Sequence, residues 1–164
     1  MSIRSLYDRL VPPAACVAHQ VVAVFTRLTL AQVFIHAGLG KLRDIESKVP
    51  FFADLGIPFP RANVWLVAVV ETVGGIALLL GLGTRAFAAM LLGTMVVALG
   101  TAHRADLVAA MTPSPEKGDL SDIGPWMLSL LLLWLMAHGA GLLSGDRLIR
   151  KMLPAKAPAS QPAA

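Results

Sequence analysis

Hydrophobic residues along this chain gather in four long blocks, at residues 17–39, 62–82, 86–102 and 125–143, each separated from the next by polar or proline-rich sequence. A membrane-crossing helix needs about 20 mainly apolar residues, with roughly 17–25 tolerated. Only helix crosses lipid in such lengths, because every backbone polar group must be satisfied within the segment. The pattern therefore predicts an all-α, integral membrane four-helix bundle.

The intervening stretches sort by their polar positions. Gly83-Thr84-Arg85 is a tight turn, which predicts that the second and third spans are adjacent and antiparallel. Between the first two spans, "VPFFADLGIPFP" carries Phe51, Phe52, Ile57 and Phe59 broken by Pro50, Pro58 and Pro60. It is too short to cross and predicts an interfacial or re-entrant segment. Residues 103–124 form a polar, acidic loop with Asp106, Glu116, Asp119 and Asp122.

At the N-terminus, Ile3, Leu6, Tyr7 and Leu10 recur at helical spacing beside Arg4 and Arg9, so residues 1–16 are expected to form an amphipathic helix at the membrane surface. The first span is too long for the core of a cleaved leader and has an arginine in its middle, so a retained helix is expected. The transmembrane domain would cover residues 17–147. Residues 148–164 would be a tail, basic and then proline- and alanine-rich, without fixed structure.

Composition agrees with the blocks: 56% of residues are hydrophobic and only 15% charged. Mean hydropathy is +0.70. The net charge of +4 is scattered between the apolar blocks, so it sets topology rather than forming a nucleic-acid surface. Arg4, Arg9, Arg85, Arg147, Arg150, Lys151 and Lys156 would share one side, against Lys41, Arg43, Lys48, Arg61, Arg104 and Lys117 on the other. The cluster "DRLIRK" directly after the last span places both termini in the cytoplasm. Cys16 is the single cysteine, which excludes an internal disulfide and Cys-x-x-Cys thiol chemistry.

Two charges stand inside the blocks. Arg27 and Glu71 each fall one residue from the centre of a predicted span. A charge at that depth costs about 2.5–3.5 kcal/mol on insertion scales, which a partner at the same depth offsets. An Arg27–Glu71 pair is therefore expected. Gly74 and Gly75, three and four residues after Glu71, share its face and let a neighbouring helix approach, while Gln20 extends a polar stripe from Arg27. Such a pair is either a structural clasp or the lining of a pocket for a headgroup, a quinone or a proton path. Lys41 and Arg85 would anchor helix ends at opposite surfaces.

Other candidates carry less. His36, His103 and His138 lie near helix ends, and two histidines without a third ligand do not make a metal site. "GLGK", Gly38 to Lys41, lacks the glycine and the Ser or Thr of a phosphate loop, with Ile35 and Leu42 in those places. Ser144 and Asp146 have no histidine arrangement for nucleophilic catalysis. Trp126 and Trp134 are expected at interfaces and in packing, and Gly93 and Gly100 on a helix-packing face. No self-contained catalytic constellation emerges.

Four stretches together resemble the DoxX family of small bacterial membrane proteins: "RLTLAQVFIHAGLGKL", "FFADLGIPFP", "ETVGGIALLLGLGTR" and "HGAGLLSGD", covering about residues 24–147. The resemblance implies a four-helix protein of the bacterial cytoplasmic (inner) membrane, and an association with quinone-dependent redox or oxidative-stress complexes. The acidic residue that some relatives place in the fourth helix is represented here, at best, by His138. Expected, then, is an accessory or quinone-interacting subunit whose cofactor would be a bound quinone, with the bilayer, other redox subunits or further copies of itself as partners. A small transporter or proton-coupled permeation subunit, and a scaffold without chemistry of its own, are the alternatives.

Overall fold

The computed structural model describes residues 3–112, 119–139, 141 and 145, with side chains from residue 17 onward. Every regular element among these residues is helical: α1 (Ile3–Arg43), α2 (Val49–Asp54), α3 (Pro60–Leu80), α4 (Thr84–Gly100), α5 (Arg104–Met111) and α6 (Gly124–His138), with a 3₁₀ turn at Leu120–Asp122.

The elements start and stop where local chemistry requires. Proline stands in the first turn of α2, α3 and α6, where its missing N–H has no intrahelical partner to lose. The last turn of α3 closes on Gly81, whose φ of 68° is open to glycine at little cost. There Leu82 N–H donates to Ala77 O and Gly81 N–H to Leu78 O, which satisfies carbonyls left open by the helix end. Asp119 and Asp122 close a reciprocal capping box ahead of α6.

Two helices are long and apolar enough to cross a membrane, Val17–Arg43 within α1 and Pro60–Leu80. α4 and α5 form a single apolar run broken by a 77° bend at residues 101–103. α6 has 15 residues, about 22 Å of helix against a hydrocarbon core of about 30 Å. The expected fourth span, 125–143, therefore stops at His138, where Gly139 leaves helical geometry with φ 76°. The expected interfacial helix of residues 1–16 is not separate, because α1 runs unbroken from Ile3 to Arg43. The supposed polar loop at 103–124 contains α5 and the 3₁₀ turn. The expected tail at 148–164 lies outside the described residues.

Helices α1 and α3 form the most extensive contact, followed by α4 with α6, while the short turn between α3 and α4 joins the two pairs. Leu30, Ala31 and Phe34 of α1 meet Leu78 of α3, Ala88, Leu91 and Met95 of α4, and Leu132 and Leu135 of α6 in one core. Val21, Phe25, Leu66, Val73, Val96 and Leu133 point outward, an apolar exterior suited to lipid.

Lipid does not drive apolar helices together as water does, so close backbone approach carries much of the attraction. Glycine supplies it between α1 and α3. A Cβ on Gly38 would collide with Thr72, and one on Gly75 would lie 2.8 Å from Ile35 Cγ1 and 2.9 Å from its nitrogen. Gly74 faces the other way, onto Leu91 of α4. Gly93 and Gly100 meet nothing within 4 Å and so are not on a packing face of this fold, contrary to expectation.

These contacts predict opposite outcomes for two glycine substitutions. Gly75→Val should lower the melting point in detergent, at a cost of 2 kcal/mol or more, roughly the upper part of the overpacking range. Gly93→Ala should leave it unchanged or raise it, because a helical Gly→Ala change in open space gains about 0.5–1 kcal/mol.

Candidate functional site

Lys41 lies in the last turn of α1 and reaches α3, placing Nζ 2.5 Å from Glu71 Oε2. The Glu71 side chain is 4% exposed and that of Lys41 23%, so the carboxylate is enclosed and the ammonium retains an outlet. The expected role of Lys41 as a surface anchor is thereby corrected: it is the ion-pair partner of Glu71.

Arg27 does not pair with Glu71. Its Nε donates to Leu78 O at 3.0 Å and its Nη2 to Leu79 O at 3.2 Å, and these are not its only interactions. The guanidinium caps the C-terminal end of α3, where the last carbonyls point out of the helix and carry its negative pole. Gly81 makes room for it, since a Cβ there would lie 2.8 Å from Nη2. Leu78 stands seven residues beyond Glu71, about 10 Å along the axis. Centring each span separately put Arg27 and Glu71 at one depth. The register set by Gly38 and Gly75 instead puts Glu71 opposite the end of α1 and Arg27 opposite the end of α3.

The other candidates divide between the two ends of the molecule. Arg85, at the start of α4, donates to Ala137 O at 3.3 Å and reaches past Gly139, fastening the last turn of α6. Gln20 lies against Gly141, within 2.6 Å of where its Cβ would be, and has an interaction of its own. Neither joins Glu71. At the Lys41 end, His103 pairs with Asp106 at 3.3 Å beside the α4–α5 bend, and His36 is exposed on α1. The structure does not bring His36 and His103 together. Ser144 and Asp146 lie outside the described residues.

A second grouping assembles where α1 crosses the end of α6. His138 stacks on Trp134, with ring centroids 4.7 Å apart and planes 22° from parallel. His19 touches both rings, 5.1 Å from His138 and 5.5 Å from Trp134. His138 Nδ1 lies 3.0 Å from Trp134 O. Sequence reasoning singled out His138 and Trp134 separately and passed over His19. The four-residue step from Trp134 to His138 was a visible signal, but the third ring comes from a helix more than a hundred positions earlier.

No group of three or more His, Cys, Asp or Glu among the described residues has the arrangement to hold a metal ion. Among the described residues the helices carry an enclosed acid–base pair, two arginines on helix ends, a cluster of aromatic nitrogens and the buried hydroxyls of Thr26, Thr84 and Ser129.

A family model described as DoxX matches residues 22–104, half of the chain. The chain belongs to the DoxX family. The matched region runs from α1 into the start of α5 and contains Arg27, Gly38, Lys41, Glu71, Gly75, Gly81 and Arg85. This DoxX protein is 36% identical over 67 residues to a Bacillus subtilis protein named "Putative oxidoreductase CatD", covering 38% of this chain and 48% of that one. It is 30% identical over 84 residues to the Escherichia coli "Inner membrane protein YphA", covering 49% of this chain and 60% of that one. The chain thus spans about half to three-fifths of the length of these relatives. No solved structure matches it.

The unequal exposure of Lys41 and Glu71 predicts unequal effects of replacing them. Lys41→Met leaves an enclosed carboxylate unpaired and should cost on the order of 3 kcal/mol, since breaking a buried pair costs about 3–5. Glu71→Gln keeps an acceptor and leaves a lysine able to reach outward, so it should cost clearly less. Lys41→Met with Glu71→Leu should recover much of the loss. Melting of the three proteins in detergent checks the order.

Proposed function

We propose that this DoxX protein is a multi-pass accessory subunit of a redox system in the bacterial inner membrane, and that it engages a membrane-soluble quinone. The His19–Trp134–His138 cluster carries this reading. It places titratable rings and a flat aromatic surface at the edge of the helical pack, where a lipid-soluble ring can reach them. The Lys41–Glu71 pair is the poorer candidate. Gly38 packs α1 on Ala68 and Thr72 of α3 at the level of Glu71, and Gly75 does so on Ile35 one turn away, so in this reading the pair acts as a clasp in a closely packed stretch. Electrons would be handled by a partner subunit, with both termini of this chain facing the cytoplasm. The name of the CatD relative supports the redox setting, and that of YphA the membrane.

Native mass spectrometry from mild detergent tests the reading. Protein released from quinone-replete membranes should carry a quinone or quinol adduct, together with partner subunits. Protein that never carries one lacks the proposed function. Proton or solute flux in liposomes would then establish the permeation alternative.

A further inference from the structure

We propose that the bend between α4 and α5 seats an anionic phospholipid, with its phosphate on Arg104 and one acyl chain along the outer face of α4. The site lies at the Lys41 end of the molecule, away from the His19–Trp134–His138 cluster, and stands independently of the quinone reading.

The bend fixes how α5 lies. α4 has 17 residues, about 25 Å of helix, which takes it across most of a hydrocarbon core of about 30 Å. There the chain turns by 77° into α5, whose first turn carries Arg104 and Asp106, both exposed. Returning two charges to lipid is costly, so α5 runs along the membrane surface rather than continuing the crossing. Asp106 is engaged by His103 Nδ1 at 3.3 Å, within its own turn.

An open groove of about 550 Å³ follows this helix, lined among others by Thr101, Arg104, Ala105, Val108, Ala109 and Thr112. These positions recur at three- and four-residue steps and so share one helix face. Arg104 is the charged residue of that face, and no carboxylate lines it. Its side chain has no ion pair among the described residues. The hydroxyls of Thr101 and Thr112 donate to Val97 O and Val108 O, which leaves the guanidinium as the side-chain donor facing the groove. Its fork of N–H groups fits two phosphate oxygens.

Arg104 alone would suit any anion, and the surface onto which the groove opens commits it to lipid. Gly93, Val97 and Thr101 follow at four-residue steps, so the groove continues down α4. Gly93 and Gly100 have nothing within 4 Å of where a Cβ would stand, while Val96 and Val97 are more than half exposed. Glycines between exposed valines leave a shallow channel in the lipid-facing surface. An acyl chain fills that channel, whereas an acidic peptide held at Arg104 makes no use of it. Beyond the groove, Val108 and Met111 are 60% and 62% exposed and extend the apolar surface around the head. A lipid of net negative charge is favoured over a zwitterion, whose positive end meets no acid in the groove.

Full-length protein, stripped of lipid in a non-ionic detergent, can be titrated with dioleoyl phosphatidylglycerol and with dioleoyl phosphatidylcholine, which differ in the head alone. Native mass spectrometry reads the fraction carrying a first lipid, and hydrogen exchange reads protection of α5. Phosphatidylglycerol should reach half-saturation at several-fold lower concentration and should slow exchange along α5. Arg104→Gln should raise its half-saturation roughly fivefold, the scale of one surface cation, and bring the two lipids together. Arg104→Lys, which keeps the charge without the fork, should lose less. Gly93→Leu, which fills the channel from open space, should weaken both lipids alike. Arg61→Gln, at an exposed cation paired with Glu46, should change nothing.

Equal half-saturation for the two lipids in unaltered protein overturns the inference whatever the variants do. So does a phosphatidylglycerol preference that persists in folded Arg104→Gln protein, or lipid protection that falls outside α5. Loss of a co-purifying subunit in Arg104→Gln protein with unchanged lipid binding also overturns it, by making the groove a protein-docking surface.

Discussion

The close approach of α1 and α3 at Gly38 and Gly75 is the constraint on which the remaining contacts depend. With backbone against backbone at two points, the antiparallel pair has one register available, and a side chain larger than hydrogen at either glycine would push the helices apart. That register brings Lys41 to Glu71 and Arg27 to the last carbonyls of α3. It also places the α3–α4 turn beside Arg27, and α4 then carries Arg85 to the end of α6.

Within this frame the buried charges act on helix ends and on each other. Lipid supplies no hydrogen bonds, so each polar group must find its partner within the protein. Arg27 and Arg85 both donate to carbonyls at the C-terminal ends of neighbouring helices, where the unpaired oxygens and the helix dipole favour a cation. Glu71 has its own lysine. Among the described residues Thr84 Oγ1 is buried without a hydrogen-bond partner, and the proposed site is the edge between α1 and α6 where the rings of His19, Trp134 and His138 meet. The functional reading moves there from the charged residues that are most conspicuous in the chain.

Much of this architecture was legible in the hydrophobic pattern. The apolar blocks, a short connection between α3 and α4 and the DoxX family were all readable, because each depends on local composition or on short motifs, although the turn falls at residues 81–83 and Thr84 and Arg85 already belong to α4. The residues of those motifs were also the right ones to notice: Gly38, Lys41, Glu71, Gly74, Gly75, Gly81 and Arg85 all lie at close contacts or polar pairs. Their pairing was not legible. Centring two apolar blocks at a common depth assumes helices of matching extent, whereas α1 has 41 residues and α3 has 21. The same limit applies to Gly93 and Gly100, which have the spacing of a packing face but meet open space.

The amino-acid sequence alone determined that this chain is helical, that it belongs in a bilayer, and that a few charges and glycines inside apolar segments must have specific partners. Those conclusions follow from the length of apolar runs and from the cost of charge in lipid, neither of which needs a third dimension. Tertiary structure decided who the partners are. Helix register is set by steric contact between surfaces far apart in the chain, and only that contact could give Glu71 to Lys41, turn Arg27 onto α3, and bring His19 to the rings of Trp134 and His138.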